Sequence, residues 1–105
     1  MIELFYADTP NGKKISIMLE EIKYPYKVTL LELKKGDQFD PKFRSISPFS
    51  KIPVIKDHEN NISIFESGAI LIYLAEKSGK FYDKDNRTLI NQWLIAQVAY
   101  VGPLL

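Results

Sequence analysis

Residues 1–31 narrow the possible folds more than anything that follows. Ile2-Glu3-Leu4-Phe5-Tyr6 is an apolar run of strand length. Thr9 can cap a helix, and Pro10 suits its first position, where a missing N–H is no loss. Ile15, Met18, Leu19 and Ile22 then recur at the i, i+3, i+4, i+7 spacing of one helical face. Tyr24-Pro25 closes that helix, and Tyr26 to Leu31 reads as a second strand. A strand, a helix and a strand in this order predict a right-handed βαβ unit with parallel strands.

The rest of the chain extends that unit. Lys34-Lys35-Gly36-Asp37 is a polar loop, and Phe39 to Ile46 reads as short, irregular helix. Ile52-Pro53-Val54-Ile55-Lys56 and Ile62-Ser63-Ile64-Phe65 flank a segment of turn composition and form a hairpin. Glu66-Ser67-Gly68 opens a helix that is apolar over a wide arc and ends near Gly79. A polar connector, Asp83 to Arg87, leads into a last helix with Leu89, Trp93, Ala96 and Tyr100 on one face. The order predicts an α/β fold on the thioredoxin-like βαβ-ββα plan, with a mixed four-stranded sheet. Two regions are expected: a thioredoxin-like unit over 1–80, and over 81–105 a linker and the first helix of an all-α region. The apolar ending, Val101-Gly102-Pro103-Leu104-Leu105, together with the Trp93 stripe, calls for a cover from a larger protein or an oligomer.

The chain has 105 residues, 46% hydrophobic and 26% charged, which fits one globular unit with a modest core. A formal charge of +1 gives no field for nucleic acid or an acidic membrane. No stretch reads as a membrane span or a signal peptide, so the expected compartment is the cytoplasm. There is no cysteine, so the chain bears no thiol nucleophile and no thiolate metal site. No His or carboxylate cluster has ligand spacing, so no metal is expected. His58, the one histidine, lies in a polar turn and reads as a solvated loop residue.

Three places carry chemistry, and each has a plain structural alternative. Most X-Pro bonds are trans, only about 5–6% being cis in folded proteins; at Ile52-Pro53, the start of the first hairpin strand of this plan, cis is far more expected. A cis bond there turns the Ile52 N–H and C=O outward, where an extended peptide can pair with them. Glu66 and Ser67 are either an exposed acid and an ordinary N-cap, or a recognition pair. In the second case helix N–H groups and the Ser67 hydroxyl hold a carboxylate while Glu66 takes an ammonium. Thr9-Pro10-Asn11-Gly12 is either a cap and a tolerant turn, or a set of donors aimed at one thiolate. A free thiol has a pKa near 8.5, and lowering it by two units takes roughly 2.7 kcal/mol. One hydrogen bond to a charged group contributes about 1.5–3 kcal/mol and a helix start ~0.3–1 kcal/mol more. Those donors suffice in magnitude. A ligand with a thiol at one end, a peptide backbone in the middle and an α-amino acid at the other is described by glutathione.

The same residues resemble a known family. Tyr6 to Ile15, Gly36-Asp37-Gln38-Phe39, Ile46-Ser47-Pro48, Lys51-Ile52-Pro53-Val54-Ile55 and Phe65 to Lys77 are similar to the N-terminal domain of cytosolic glutathione transferases. They are most similar to the bacterial nu class of glutathione-dependent disulfide-bond oxidoreductases, to which a fungal nitrogen regulator is related. The resemblance implies roles for single residues. Thr9 and Asn11 stand near the sulfur, Gln38 contacts the glycyl end with help from Lys51, and Ile52, before Pro53, pairs through its backbone. Glu66 and Ser67 hold the γ-glutamyl end, and Tyr6 is supporting. It implies a substrate pair of glutathione or glutathione disulfide with a small electrophile or disulfide, and a homodimer for the full-length protein. The rival expectation is a transferase-like binding or regulatory module without significant catalysis.

Overall fold

A computed structural model describes residues 1–104. The chain folds as β1 (Ile2–Tyr6), α1 (Pro10–Glu21), β2 (Tyr26–Leu30), α2 (Pro41–Arg44), β3 (Val54–Asp57), β4 (Ile62–Phe65), α3 (Ser67–Ser78) and α4 (Arg87–Ala96). Two single 3-10 turns, 33–35 and 37–39, fill the polar loop before α2. The sheet order is β2-β1-β3-β4. β1 and β2 are parallel, with Ile2 opposite Tyr26, and β3 is antiparallel to both β1 and β4. This is the thioredoxin-like arrangement expected from the pattern.

Strand alternation divides the core between the two faces of the sheet. Ile2, Leu4 and Ile55 point to one face, where Ile15, Leu19 and Ile22 of the α1 region and Ile70 and Leu74 of α3 cover them. Val54 and Phe5 point to the other, with Leu31, just past β2, and Phe43 of the short α2. Phe5 and Phe43 meet with ring centroids 5.8 Å apart. Successive residues of a strand face opposite ways, so a run buried on both faces needs a helix on each.

Both long helices point their starts to the same end of the molecule, where β3 also begins. Thr9 caps α1: the Gly12 N–H donates to Thr9 Oγ1 at 3.0 Å, and Pro10 occupies the first turn. Gly12 is required here by a close approach, because a Cβ would lie 2.5 Å from the Ala7 carbonyl oxygen and 3.0 Å from the Tyr6 ring. Gly79 ends α3 in the left-handed conformation, at φ 70°.

At the far end of β3, buried Asp57 accepts from Tyr73 Oη at 2.6 Å and from the Glu59 N–H at 3.0 Å, and pairs with Lys77 at 2.9 Å. Burial acts to raise the Asp57 pKa, but hydrogen bonds from Lys77, Tyr73 and the Glu59 N–H, with the Lys77 charge, bring it from 3.8 to about 2. His58 is not a free loop side chain. Its Nε2 lies 2.9 Å from Glu3, whose carboxylate also accepts from Thr29. The hairpin turn folds back over the start of β1, which its composition does not reveal.

The last helix begins at Arg87 and loosens into a π turn over 97–101. Ile90 and Leu94 turn inward toward Met18, Leu71, Ile72 and Ala75. The Leu89, Trp93 and Tyr100 stripe faces outward, with Trp93 67% exposed. The expected apolar ending includes Leu105, which lies outside the described residues.

Candidate functional site

The three chemistry-bearing stretches meet at the end of the sheet where β3 begins. A cleft of about 180 Å³ is lined by Asn11, Lys51, Ile52, Pro53, Glu66 and Ser67, with Ser47, Phe49 and Phe65 completing its walls. A second hollow, about 210 Å³, is lined by Thr9, Gln38, Leu33 and Ser50, and by the same Asn11, Lys51 and Ile52. Thr9, Asn11, Gln38, Lys51, Ile52, Pro53, Glu66 and Ser67 therefore line two hollows joined at three shared residues. Tyr6 lines neither; its ring packs near Gly12 and its hydroxyl donates to Asp8 at 3.3 Å.

The start of α3 departs from an ordinary capped helix. Glu66 precedes the helix at φ 76°, ψ 117°, a backbone region that residues with a side chain rarely enter. No side chain caps α3. The ordinary-cap reading of Ser67 does not apply, because Ser67 is the first residue inside the helix. Its hydroxyl and the Glu66 carboxylate make no hydrogen bond or ion pair among the described residues. The first-turn N–H groups of α3 thus have no side-chain cap, and they belong to a helix start whose Glu66 and Ser67 line the cleft, an arrangement able to seat a carboxylate.

The middle of the site is a loop held from beneath. Ser47, buried, donates to the Lys51 carbonyl at 2.7 Å and accepts the Lys51 N–H at 3.0 Å. Ser50 takes φ 57°, and its N–H donates to the Ser47 carbonyl at 2.9 Å. The chain then enters β3 through Ile52–Pro53, a cis peptide bond. The sheet ladder begins only at Val54, and the Ile52 backbone groups have no partner among the described residues. They are free to pair with an extended ligand in β fashion.

At the α1 end, Thr9 accepts the Gly12 N–H and donates only weakly to Ala7, at 3.4 Å. Its proton is thus the least committed part of the cap. The Asn11 amide has no hydrogen bond among the described residues, although Asn11 borders both hollows. Gln38 carries a buried side-chain oxygen with no partner, beside the second hollow. A buried polar atom of this kind calls for a donor from outside the protein. Among the described residues no cluster of His or carboxylates has the arrangement of a metal site, and no helix is long and apolar enough to cross a membrane.

Sequence reasoning missed Ser47, Phe49 and Phe65. Ser47 stood in a quoted motif, but its two-way grip on Lys51 depends on the loop's shape. Phe49 and Phe65 come from different segments and form an edge-to-face pair at 6.1 Å, a wall that no single stretch displays.

Residues 2–76 match the family described as glutathione S-transferase, N-terminal domain. The disulfide-bond oxidoreductase YfcG of Escherichia coli is 48% identical over 100% of this chain and 52% of its own length. The disulfide-bond oxidoreductase YghU of the same organism is 44% identical over 89% of this chain and 36% of its own. A crystal structure of a glutathione transferase family member from Pseudomonas fluorescens, with two glutathione bound, superimposes with a TM-score of 0.92 at 45% identity, covering 97% of this chain and 48% of that one. One from Pseudomonas putida, with one glutathione disulfide bound per subunit, gives 0.92 at 44%, covering 97% and 47%. The chain spans about half or less of the length of these relatives.

Proposed function

The chain belongs to the glutathione S-transferase N-terminal-domain family, and from that premise we propose that its protein is a glutathione transferase whose main reaction is glutathione-dependent disulfide reduction. The observation that carries this reading is the convergence of all eight candidate residues on two joined hollows.

Glutathione lies across both hollows. Its γ-glutamyl carboxylate takes the Ser67 hydroxyl and the uncapped α3 start, and its ammonium takes Glu66. Its cysteinyl backbone pairs with Ile52 ahead of Pro53, and its glycyl end reaches Gln38 and Lys51. The sulfur comes to the start of α1, beside Thr9 and Asn11. The charges match end for end: an acid meets the ammonium, while Lys51 and a helix start meet the carboxylates. The thiolate attacks one sulfur of a disulfide and expels the other as thiolate, leaving a mixed disulfide. A second glutathione thiolate resolves it, so two thiols are oxidised to glutathione disulfide and one substrate disulfide is reduced to two thiols. The same thiolate conjugates small electrophiles. Names of relatives support this: two are disulfide-bond oxidoreductases, and one related structure holds glutathione disulfide.

The protein works as a cytoplasmic homodimer, with 1–80 as the glutathione-binding unit and 81–105 as linker and first helix of an all-α region. The test is a coupled hydroxyethyl-disulfide assay on the intact protein, with glutathione binding followed by calorimetry. Turnover above the uncatalysed thiol reaction is expected. Binding without turnover would leave a regulatory module, and absence of both would end the reading.

A further inference from the structure

Asn11 and Gly12 form a dipeptide with a chemistry of its own. A backbone nitrogen attacks the side-chain carboxamide of a preceding Asn most readily when it belongs to Gly, because no Cβ crowds the approach. Of the asparagines in the chain, Asn11 alone precedes a glycine; Asn60, Asn61, Asn86 and Asn91 precede larger residues. Asn11 is exposed where it borders both hollows, and its carboxamide has no hydrogen bond among the described residues. The electrophile is therefore open to water and uncommitted.

The nucleophile is neither. Gly12 is buried, and its N–H, which must lose its proton to attack, donates to Thr9 Oγ1 at 3.0 Å. Thr9 is itself anchored: its N–H donates to the Ala7 carbonyl at 2.8 Å, and its carbonyl accepts the Lys13 N–H at 2.9 Å. Ring closure would bring the Asn11 Cβ and the Gly12 nitrogen nearly eclipsed about the Cα–C bond. Asn11 is the second residue of α1, and a helical backbone holds those atoms apart. An exposed, reactive side chain thus stands beside a nucleophile that one hydroxyl keeps in place.

We propose that Asn11–Gly12 is a site of spontaneous covalent modification in the cleft, gated by the Thr9 cap. When the first turn of α1 opens, the Gly12 nitrogen gives its proton to solvent and bonds to Asn11 Cγ, and the side-chain nitrogen takes up a proton and leaves as ammonia. Water then opens the five-membered imide at either carbonyl, giving aspartate or an isoaspartate linkage. Nothing is oxidised or reduced; water replaces ammonia. Either product puts a carboxylate where the amide stood. A carboxylate beside a bound thiol opposes its ionisation, so the modified protein loses turnover. This consequence, unlike the modification itself, rests on the glutathione reading above.

The experiment incubates the intact protein at mildly alkaline pH and follows each asparagine by peptide mass spectrometry, with the same protein in denaturant as reference. Folded wild type converts Asn11 several-fold more slowly than denatured wild type. Thr9→Val speeds the folded reaction about five-fold, the population change that losing a helix cap brings, and leaves Asn60 and Asn91 unchanged. Thr9→Ser stays near wild type. Turnover of wild type falls in step with the converted fraction, and fresh Asn11→Asp is slow from the start. A folded Thr9→Val that reacts no faster than wild type overturns the proposal, as does a folded wild type in which Asn11 is inert or reacts at the denatured rate. Those two wild-type rates decide the matter where Thr9→Val folds poorly. Fresh wild type that neither binds nor turns over glutathione removes the glutathione reading instead, and leaves the modification to the mass measurements.

Discussion

Ser67 and Asn11 stand at the starts of different helices, and truncating each should separate binding from turnover. Ser67→Ala removes a hydroxyl that a carboxylate would use, so calorimetry should show glutathione binding weaker by about 1–3 kcal/mol. Asn11→Ala should lower kcat more than affinity if, as proposed, its amide serves the sulfur rather than the ends of the tripeptide. Equal small effects from both would contradict these roles. Gly12 is a different case, since the demand for glycine there is steric. An added methyl at 2.5 Å from the Ala7 carbonyl forces the α1 start away from β1. Gly12→Ala should cost about 1–3 kcal/mol in denaturant unfolding. The Asn11-Gly12 dipeptide reads only as a tolerant turn; the demand for glycine comes from a carbonyl and a ring that strand β1 brings against it.

At the scale of elements, the site depends on how loops hand the chain to helices and strands. The 47–51 loop is held by Ser47, whose single hydroxyl satisfies both backbone groups of Lys51. Ser47→Ala leaves the Lys51 N–H and C=O without their partner in a part-buried place and should cost about 1–3 kcal/mol. It should also weaken glutathione binding, although Ser47 has no assigned ligand contact; retained affinity would show that the loop keeps its shape without it. The α3 start shows the limit of reading caps from sequence. Glu-Ser before an apolar run carries the signature of a capped helix, yet the cap is missing and Glu66 sits at φ 76°. A local rule broken without local compensation is what a binding site produces. The β1–α1–β2 unit, by contrast, is legible to within a residue or so, because period-2 burial and a 3.6-residue stripe state its layers directly.

For the whole molecule, the Asp57 network joins the β3–β4 turn to the later half of α3. Its folded pKa, about 2, lies below the ordinary 3.8. The lowered value contributes stability that is fully present above about pH 4 and is lost as pH falls toward 2. The shift corresponds to about 2 kcal/mol. Thermal melts should therefore lose stability across that window, and Asp57→Asn should remove that part of the slope. At neutral pH the same variant should be less stable, since Lys77 loses its buried counter-ion. The outward stripe of α4 makes a second prediction at this scale. In the 105-residue chain, Trp93 at 67% exposure should fluoresce as a solvated indole and be quenched readily by acrylamide. A blue-shifted, protected signal would mean that this face is covered.

Periodicity, capping residues and the absence of cysteine determine much of this protein by themselves. They set the βαβ-ββα order and the two-sided core, and they require any reactive sulfur to be borrowed from a ligand. These are properties of neighbouring residues, and short-range sterics and burial act between neighbours. The meeting of Thr9, Gln38, Ile52 and Ser67 around two joined hollows was decided only by the tertiary structure. So were the partnerless oxygen of Gln38, the Glu3–His58 contact and the Lys14–Gln97 bond. Each joins groups far apart in the chain, and their meeting depends on sheet order, loop shape and the angle at which the last helix crosses α1 and α3.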